Sequence, residues 1–210
     1  NGSLQVALTG SYLDLSGALP GIGALGDARE SNGTPLSVRA DVDTLTLGAG
    51  LYVRNADVTW RSTVNGMQKL SATGNTDDGS AFNIDLDGSS PEGTAIKVVS
   101  SDAGFITSAF LDLDFIEGGR LDIDGTLARD GAPSRFNIVV TDGRLHNAPF
   151  LTQILSLASL RGLADTLGGD GVLFSRIDIP LTVAGDRYVV TGGKAQGPAL
   201  GLTANGYLGA

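Results

Sequence analysis

The sequence has no cysteine and a single histidine, His146. Without cysteine there is no disulfide framework and no thiolate metal site, and an oxidising compartment is neither required nor excluded. With one histidine no His-rich metal centre can form, and any catalytic triad would have to use His146. Aromatic residues make up only 6% of the chain, and tryptophan occurs once, as Trp60. It stands on an alternating stretch, where packing in a core or interface explains it better than a stacking platform. Positive charge is scarce: 14 Lys and Arg against 23 Asp and Glu leave a net charge of −9. Such a surface repels phosphate backbones, which argues against nucleic acid as a partner, and also against adsorption to an acidic membrane. No apolar run approaches the ~20 residues of a membrane-crossing helix, and no signal peptide is visible. Nucleophile-elbow and Walker-type motifs are absent, as is a calcium loop of the required spacing.

What is present is glycine, 31 of 210 residues, in a chain that is 41% apolar. That fits many short strands joined by tight turns better than a helical bundle. Apolar and polar residues alternate over most of the length, the period-two signature of half-buried strands. The runs are Leu4–Leu8, Leu36–Val42, Ala56–Trp60, Leu70–Ala72, Phe82–Leu86, Ile96–Val98, Leu121–Leu127, Phe136–Val140, Ile177–Val183, Tyr188–Val190 and Leu200–Ala204. A change of phase at Asp43-Thr44, after which Leu45 and Leu47 take over, predicts a bulge. Asn65-Gly66, Asp78-Gly79, Asp87-Gly88 and Pro91 to Gly93 punctuate the runs at spacings that build antiparallel neighbours.

Two stretches break the rhythm. In Asp102–Leu113 the apolar residues Phe105, Ile106, Ala109, Phe110 and Leu113 fit a short helix capped by Asp102 and closed by Gly118-Gly119. In Asn147–Gly169 the residues from Phe150 to Ala158 fall on one helical face, and Leu160, Leu163, Ala164 and Leu167 on nearly the opposite one. The expectation there is two short helices, or one kinked near Ser159–Gly162, wedged between two surfaces.

Residues 1–210 thus read as one continuous β domain, with strands and a glycine-rich loop in 1–100 and the helical stretches in 101–210. About eleven strands at ~4.8 Å make a sheet roughly 50 Å wide, whereas a helix is only ~10–12 Å across. Helices this short cannot cover one apolar face of such a sheet, and a sheet this wide seldom stays flat. It closes into a barrel, folds into a sandwich, or curls into a groove whose apolar inside meets something else.

Three motifs have plain explanations. Gly21-Ile-Gly-Ala-Leu-Gly26 matches G-x-G-x-x-G, but no helical period follows, so it reads as a loop and not as a dinucleotide site. Among the carboxylates Asp112, Asp114, Glu117, Asp122 and Asp124, the last two alternate with Leu121 and Ile123, which puts them on a wet strand face. His146 precedes the second helical stretch, where a cap or hinge role suffices. No catalytic, metal-binding or cofactor-binding residue is assigned, and no cofactor is expected.

Two ordered sets of segments carry a resemblance. The first runs Ser101-Asp-Ala-Gly-Phe-Ile-Thr-Ser-Ala-Phe and on to Ile116-Glu-Gly-Gly-Arg-Leu-Asp-Ile-Asp-Gly-Thr126. The second comprises Asn147-Ala-Pro-Phe-Leu, Leu155-Ser-Leu-Ala-Ser-Leu-Arg-Gly-Leu and Gly169-Asp-Gly-Val-Leu-Phe, ending in Gly197-Pro-Ala-Leu-Gly-Leu-Thr-Ala-Asn-Gly206. In this order they resemble the C-terminal region of AsmA-like proteins, the group that includes the YhdP and TamB relatives of Gram-negative bacteria. The resemblance implies a segment of a longer periplasmic protein with an inner-membrane anchor outside this sequence. It also implies a curled, groove-like antiparallel sheet that moves phospholipid between the two membranes and supports outer-membrane integrity. Phospholipid acyl chains are then the expected partners, with envelope proteins as further ones. The residues expected to contact lipid are Leu121, Ile123, Phe136, Ile138, Val140, Ile179 and Leu181. The competing expectations are a non-catalytic β scaffold that binds a partner, and a carbohydrate-active enzyme built on a carboxylate pair.

Overall fold

A computed structural model describes residues 3–16, 35–48, 51–111, 113–147 and 169–209. The glycine motif at 21–26, Asp112 and nearly all of the helical stretch expected between Asn147 and Gly169 lie outside the described residues.

In chain order the elements are β1 (Leu4–Gly10), β2 (Leu13–Asp14), β3 (Leu36–Gly48), β4 (Leu51–Thr63), β5 (Gly66–Asn75), β6 (Ala81–Asp87) and β7 (Gly93–Ser100). Helix α1 (Ala103–Leu111) follows, then β8 (Ile116–Glu117), β9 (Arg120–Ala128), β10 (Ser134–Leu145), β11 (Val172–Ala184), β12 (Arg187–Gln196) and β13 (Gly201–Gly209). All strands belong to one 13-stranded sheet whose order is β1-β3-β4-β5-β6-β7-β9-β10-β11-β12-β13, with β2 beside β3 and β8 beside β10. No pairing joins β1 to β13, so the sheet is wide and unclosed, as expected of a curled groove.

The hairpins follow from local chemistry. Gly66, Gly79, Gly93, Gly131 and Gly185 take positive φ in the turns, a region that costs glycine no Cβ clash. Every main pairing from β3 onward is antiparallel. The N-terminal edge departs from the expected all-antiparallel sheet, because β1 and β2 run parallel to β3. Parallel neighbours need a long connection between them, and most of the chain between β2 and β3 lies outside the described residues.

The phase change at Asp43 is a crease that crosses several strands. Val42 and Leu45 are both buried on β3, as are Val53 and Ala56 on β4. Two residues between buried neighbours in place of one switch the inward-facing parity. The β3–β4 register itself does not slip there; the shift falls between β4 and β5, at Arg54/Asp57. Asn55 sits at the crease with φ 50°. The gap between β1 and β2 falls at the same level, since Gly10 pairs with Val42 and Leu13 with Leu45.

The other half of the sheet repeats the device. Val140 and Gly143 on β10, and Phe174 and Ile177 on β11, flank a parity switch at Asp142, φ 54°. The break between β8 and β9 at Gly118-Gly119 lies opposite it, with Glu117 paired to Arg144 and Arg120 to Thr141. Strands β6 and β9 begin and β7 ends near this level, and α1 follows β7 there. Asp102 caps the helix by accepting the Phe105 N–H at 3.1 Å. Ala103, Ile106 and Thr107 are buried, and Phe105 stacks on Phe82 with centroids 6.0 Å apart.

Candidate functional site: a one-sided apolar face

Directly paired residues in adjacent strands share a face of the sheet, so the registers order the inner face into rungs. The first rung includes Phe82, Ser100, Leu121, Val140 and Ile177. The second runs from β1 to β11 as Leu8, Ala40, Val58, Ala72, Ile84, Val98, Ile123, Ile138 and Ile179. The third spans β1 to β13 as Val6, Val38, Trp60, Leu70, Leu86, Ile96, Gly125, Phe136, Leu181, Val190 and Gly206. No polar side chain interrupts the second or third rung.

Cover differs sharply between rungs. In the first, beside α1, Leu121 and Ser100 are 0% exposed and Val140 is 3% exposed. In the second and third, most side chains are half-buried, among them Val58, Trp60, Ile84, Ile96, Ile123 and Phe136. At the β1 edge Leu8 is 42% exposed and Leu4 57%. The result is an apolar strip that crosses the sheet, sealed along the helix side and elsewhere a mixture of half-covered positions with buried ones such as Ala40, Leu86 and Val98.

All seven residues expected to contact lipid lie on this face, in adjacent rungs of β9, β10 and β11. Ile123, Phe136, Ile138, Ile179 and Leu181 are half-buried, whereas Leu121 and Val140 are core positions in the first rung. The expected set stopped at β9–β11, but the same face continues through β3–β7. Alternation at Val58-Thr59-Trp60 and Phe82–Leu86 already carried that signal. The sequence pattern marks Phe105 only as a helix residue, yet it is half-buried and packs against the same apolar cluster as Ile84 and Ile96.

The outer face is polar and ion-paired. Lys97 reaches Asp122 at 3.0 Å and Asp124 at 3.4 Å, so these carboxylates are solvated partners of a lysine. Their hydrogen bonds and charge, Asp122 first, raise the Lys97 pKa. Arg39–Asp57, Arg54–Asp77 and Arg176–Asp178 are further exposed pairs, each worth little alone. Asp114 and Glu117 do not join Asp122 and Asp124 in a cluster. Among the described residues, no group of three or more His, Asp or Glu is arranged to hold a metal ion. No described helix is long and apolar enough to cross a membrane.

His146 lines a shallow polar cleft with Glu117, Arg144, Gly169 and Asp170. Its backbone N–H donates to the Phe115 carbonyl at 3.0 Å, and Arg144 donates to the Asp170 carbonyl at 2.9 Å. These contacts anchor the chain where β10 ends, in keeping with a structural role.

No family model, curated protein or solved structure matches this chain.

Proposed function

We propose that this chain is a lipid-binding segment whose inner face holds the hydrocarbon tails of phospholipid in an open groove. One observation carries the reading: two unbroken apolar rungs cross most of the sheet, and most of their side chains, apart from the buried Ala40, Leu86 and Val98, are only half covered. Contiguous apolar surface of this extent marks an interaction site more often than chance exposure. Burying methylenes gives ~0.8 kcal/mol each, so a dozen give roughly 10 kcal/mol before the costs of binding. The ordered segments that resemble AsmA-like proteins support the same reading. On this reading the work is done in the periplasm, between inner and outer membrane, within a parent protein held at the inner membrane. No catalytic step is part of the proposal.

The other reading is a partner-binding β scaffold in the envelope, which the exposed Leu4 and Leu8 of the edge strand favour. Native mass spectrometry of protein purified from cells separates the two. Co-purified phospholipid is expected, with in-cell photo-crosslinks to lipid from Ile123, Ile138 and Ile179 and none from Asp122 or Asp124. Lipid-free protein that crosslinks equally from both faces, or only to other proteins, removes the lipid reading.

A further inference from the structure

We propose that the free edge of β1 pairs with the same edge of a second copy of this chain, antiparallel about a two-fold axis through Ala7, so that two sheets join into one. Lipid binding is not required for it. Two features of β1 carry it: the backbone groups it leaves open, and the pattern of its seven residues.

Strand β1 pairs with β3 on one side and, among the described residues, with nothing on the other. The Leu4 N–H donates to the Pro35 carbonyl at 2.8 Å. In a parallel ladder this turns the backbone groups of Leu4, Val6 and Leu8 toward β3, and those of Gln5, Ala7 and Thr9 toward the open edge. Such an edge is a template for another strand, and natural edges are blunted by charge, proline, a bulge or very short length. Leu-Gln-Val-Ala-Leu-Thr-Gly has no charged residue, no proline and no register shift against β3. The opposite edge strand, β13, carries three glycines in its nine residues, and glycine weakens a strand.

Self-complementarity selects a second copy as the occupant. Full antiparallel overlap of Leu4–Gly10 with itself is centred on Ala7; it sets Gln5 of each copy opposite Thr9 of the other, and Val6 opposite Leu8. The outward groups of Gln5, Ala7 and Thr9 then face one another as hydrogen-bonded pairs, which a slip of one residue would destroy. Side chains match on both faces. On the inner face Val6 and Leu8 meet apolar neighbours, and Leu8, 42% exposed in the single chain, gains cover. On the outer face the exposed Gln5 and Thr9 form polar pairs, and the small Ala7 meets its twin at the axis. No like charges meet in this strand pair. The second rung of one copy, which starts at Leu8, runs on into the third rung of the other, which starts at Val6. The apolar strip therefore crosses the junction unbroken. Two-fold dimers are the commonest closed assembly. A seven-residue edge lies at the low end of interface sizes, so the dimer forms and parts with concentration.

Sedimentation velocity of the intact chain over a wide concentration range is expected to show a reversible monomer–dimer equilibrium. Ala7→Pro removes an outward N–H and leaves the bonds to β3 in place. Ala7→Lys sets two ammonium groups face to face at the axis. Each variant should weaken dimerisation several-fold while thermal unfolding of the monomer stays near that of the parent. The chain has no cysteine, so single-cysteine variants report which edge is used. A short bismaleimide should join two copies through Ala7→Cys and not through Thr203→Cys on β13. A chain that stays monomeric at every concentration, Ala7→Lys that dimerises as the parent does, or crosslinking through Thr203→Cys alone overturns the pairing.

Discussion

The ring of Phe136 lies over Gly125, its cross-strand partner, in the space where a side chain on residue 125 would stand. A Cβ built on Gly125 comes within 2.6 Å of the ring and 2.5 Å of the Arg135 carbonyl oxygen. The ring thus covers a backbone gap in the third rung and keeps that rung apolar. Gly125→Ala should destabilise the protein by ~1–3 kcal/mol, because backbone as well as ring must move. Gly201→Ala meets nothing within 4 Å and should stay within ~0.5 kcal/mol of the parent. Urea unfolding of the two variants checks the contrast; equal midpoints would show that Phe136 does not need the glycine.

The paired creases make a second prediction. Asn55 and Asp142 hold φ of 50° and 54°, a region that asparagine, aspartate and glycine tolerate and β-branched residues do not. Asn55→Gly and Asp142→Gly should be close to neutral. Asn55→Val and Asp142→Val should each cost ~1–3 kcal/mol. Thermal unfolding of the four variants decides it, and valine variants as stable as the glycine ones would remove the crease as a conformational requirement.

These creases also mark how far the fold could be read in advance. Alternation such as Phe82–Leu86 is a local signal, and it correctly located most strands and their inward residues. The phase change at Asp43 was visible for the same reason. Its equivalent at Asp142 was not, because Val139 is apolar and stands between two inward residues, which blurs the alternation. Direction was hidden as well: β1 runs parallel to β3, and nothing in the alternation of Leu4–Gly10 encodes which way it runs. At the site, periodicity identified the face that carries Ile123, Ile138 and Ile179. It could not separate them from Leu121 and Val140, because cover by α1 is a tertiary property. The packing of Phe105 against the same apolar cluster was hidden for the same reason.

The Thr76–Ser80 turn predicts an acid response. Asp78 accepts hydrogen bonds from the Thr76 hydroxyl and from the Ser80 N–H at 2.9 Å. These bonds, the Thr76 one first, lower its pKa. A lowered folded pKa stabilises the fold above the ordinary carboxylate range, and the contribution is lost as pH falls through the folded value. Protection of the Ser80 amide, corrected for intrinsic exchange, should therefore persist below the pH at which a free aspartate titrates. Asp78→Asn should weaken it at neutral pH. Lys97 has the opposite sign: its raised pKa stabilises at and below the ordinary lysine range, and the contribution fades as pH rises through the folded value. Lys97→Met should accordingly narrow the stability difference from the parent at strongly alkaline pH. A widening difference there would contradict the pairing with Asp122.

Fold and function should separate along the rungs of a single strand pair. Leu121 is fully buried in the first rung, so Leu121→Ala should cost ~2–5 kcal/mol. Ile138 is half-buried in the second rung, where Ile138→Thr keeps the β-branched shape but places a hydroxyl on the strip. Its stability cost should be smaller, ~1–2 kcal/mol, because the hydroxyl can still reach water. Lipid retention should follow the reverse order: Ile138→Thr lowers the lipid carried per folded protein several-fold, and Leu121→Ala leaves it near the parent level wherever the protein is folded. Urea titration and native mass spectrometry on the same preparations supply both readouts. If lipid loss tracks stability loss across the two variants, the half-covered strip is merely a loose part of the core and the groove reading fails.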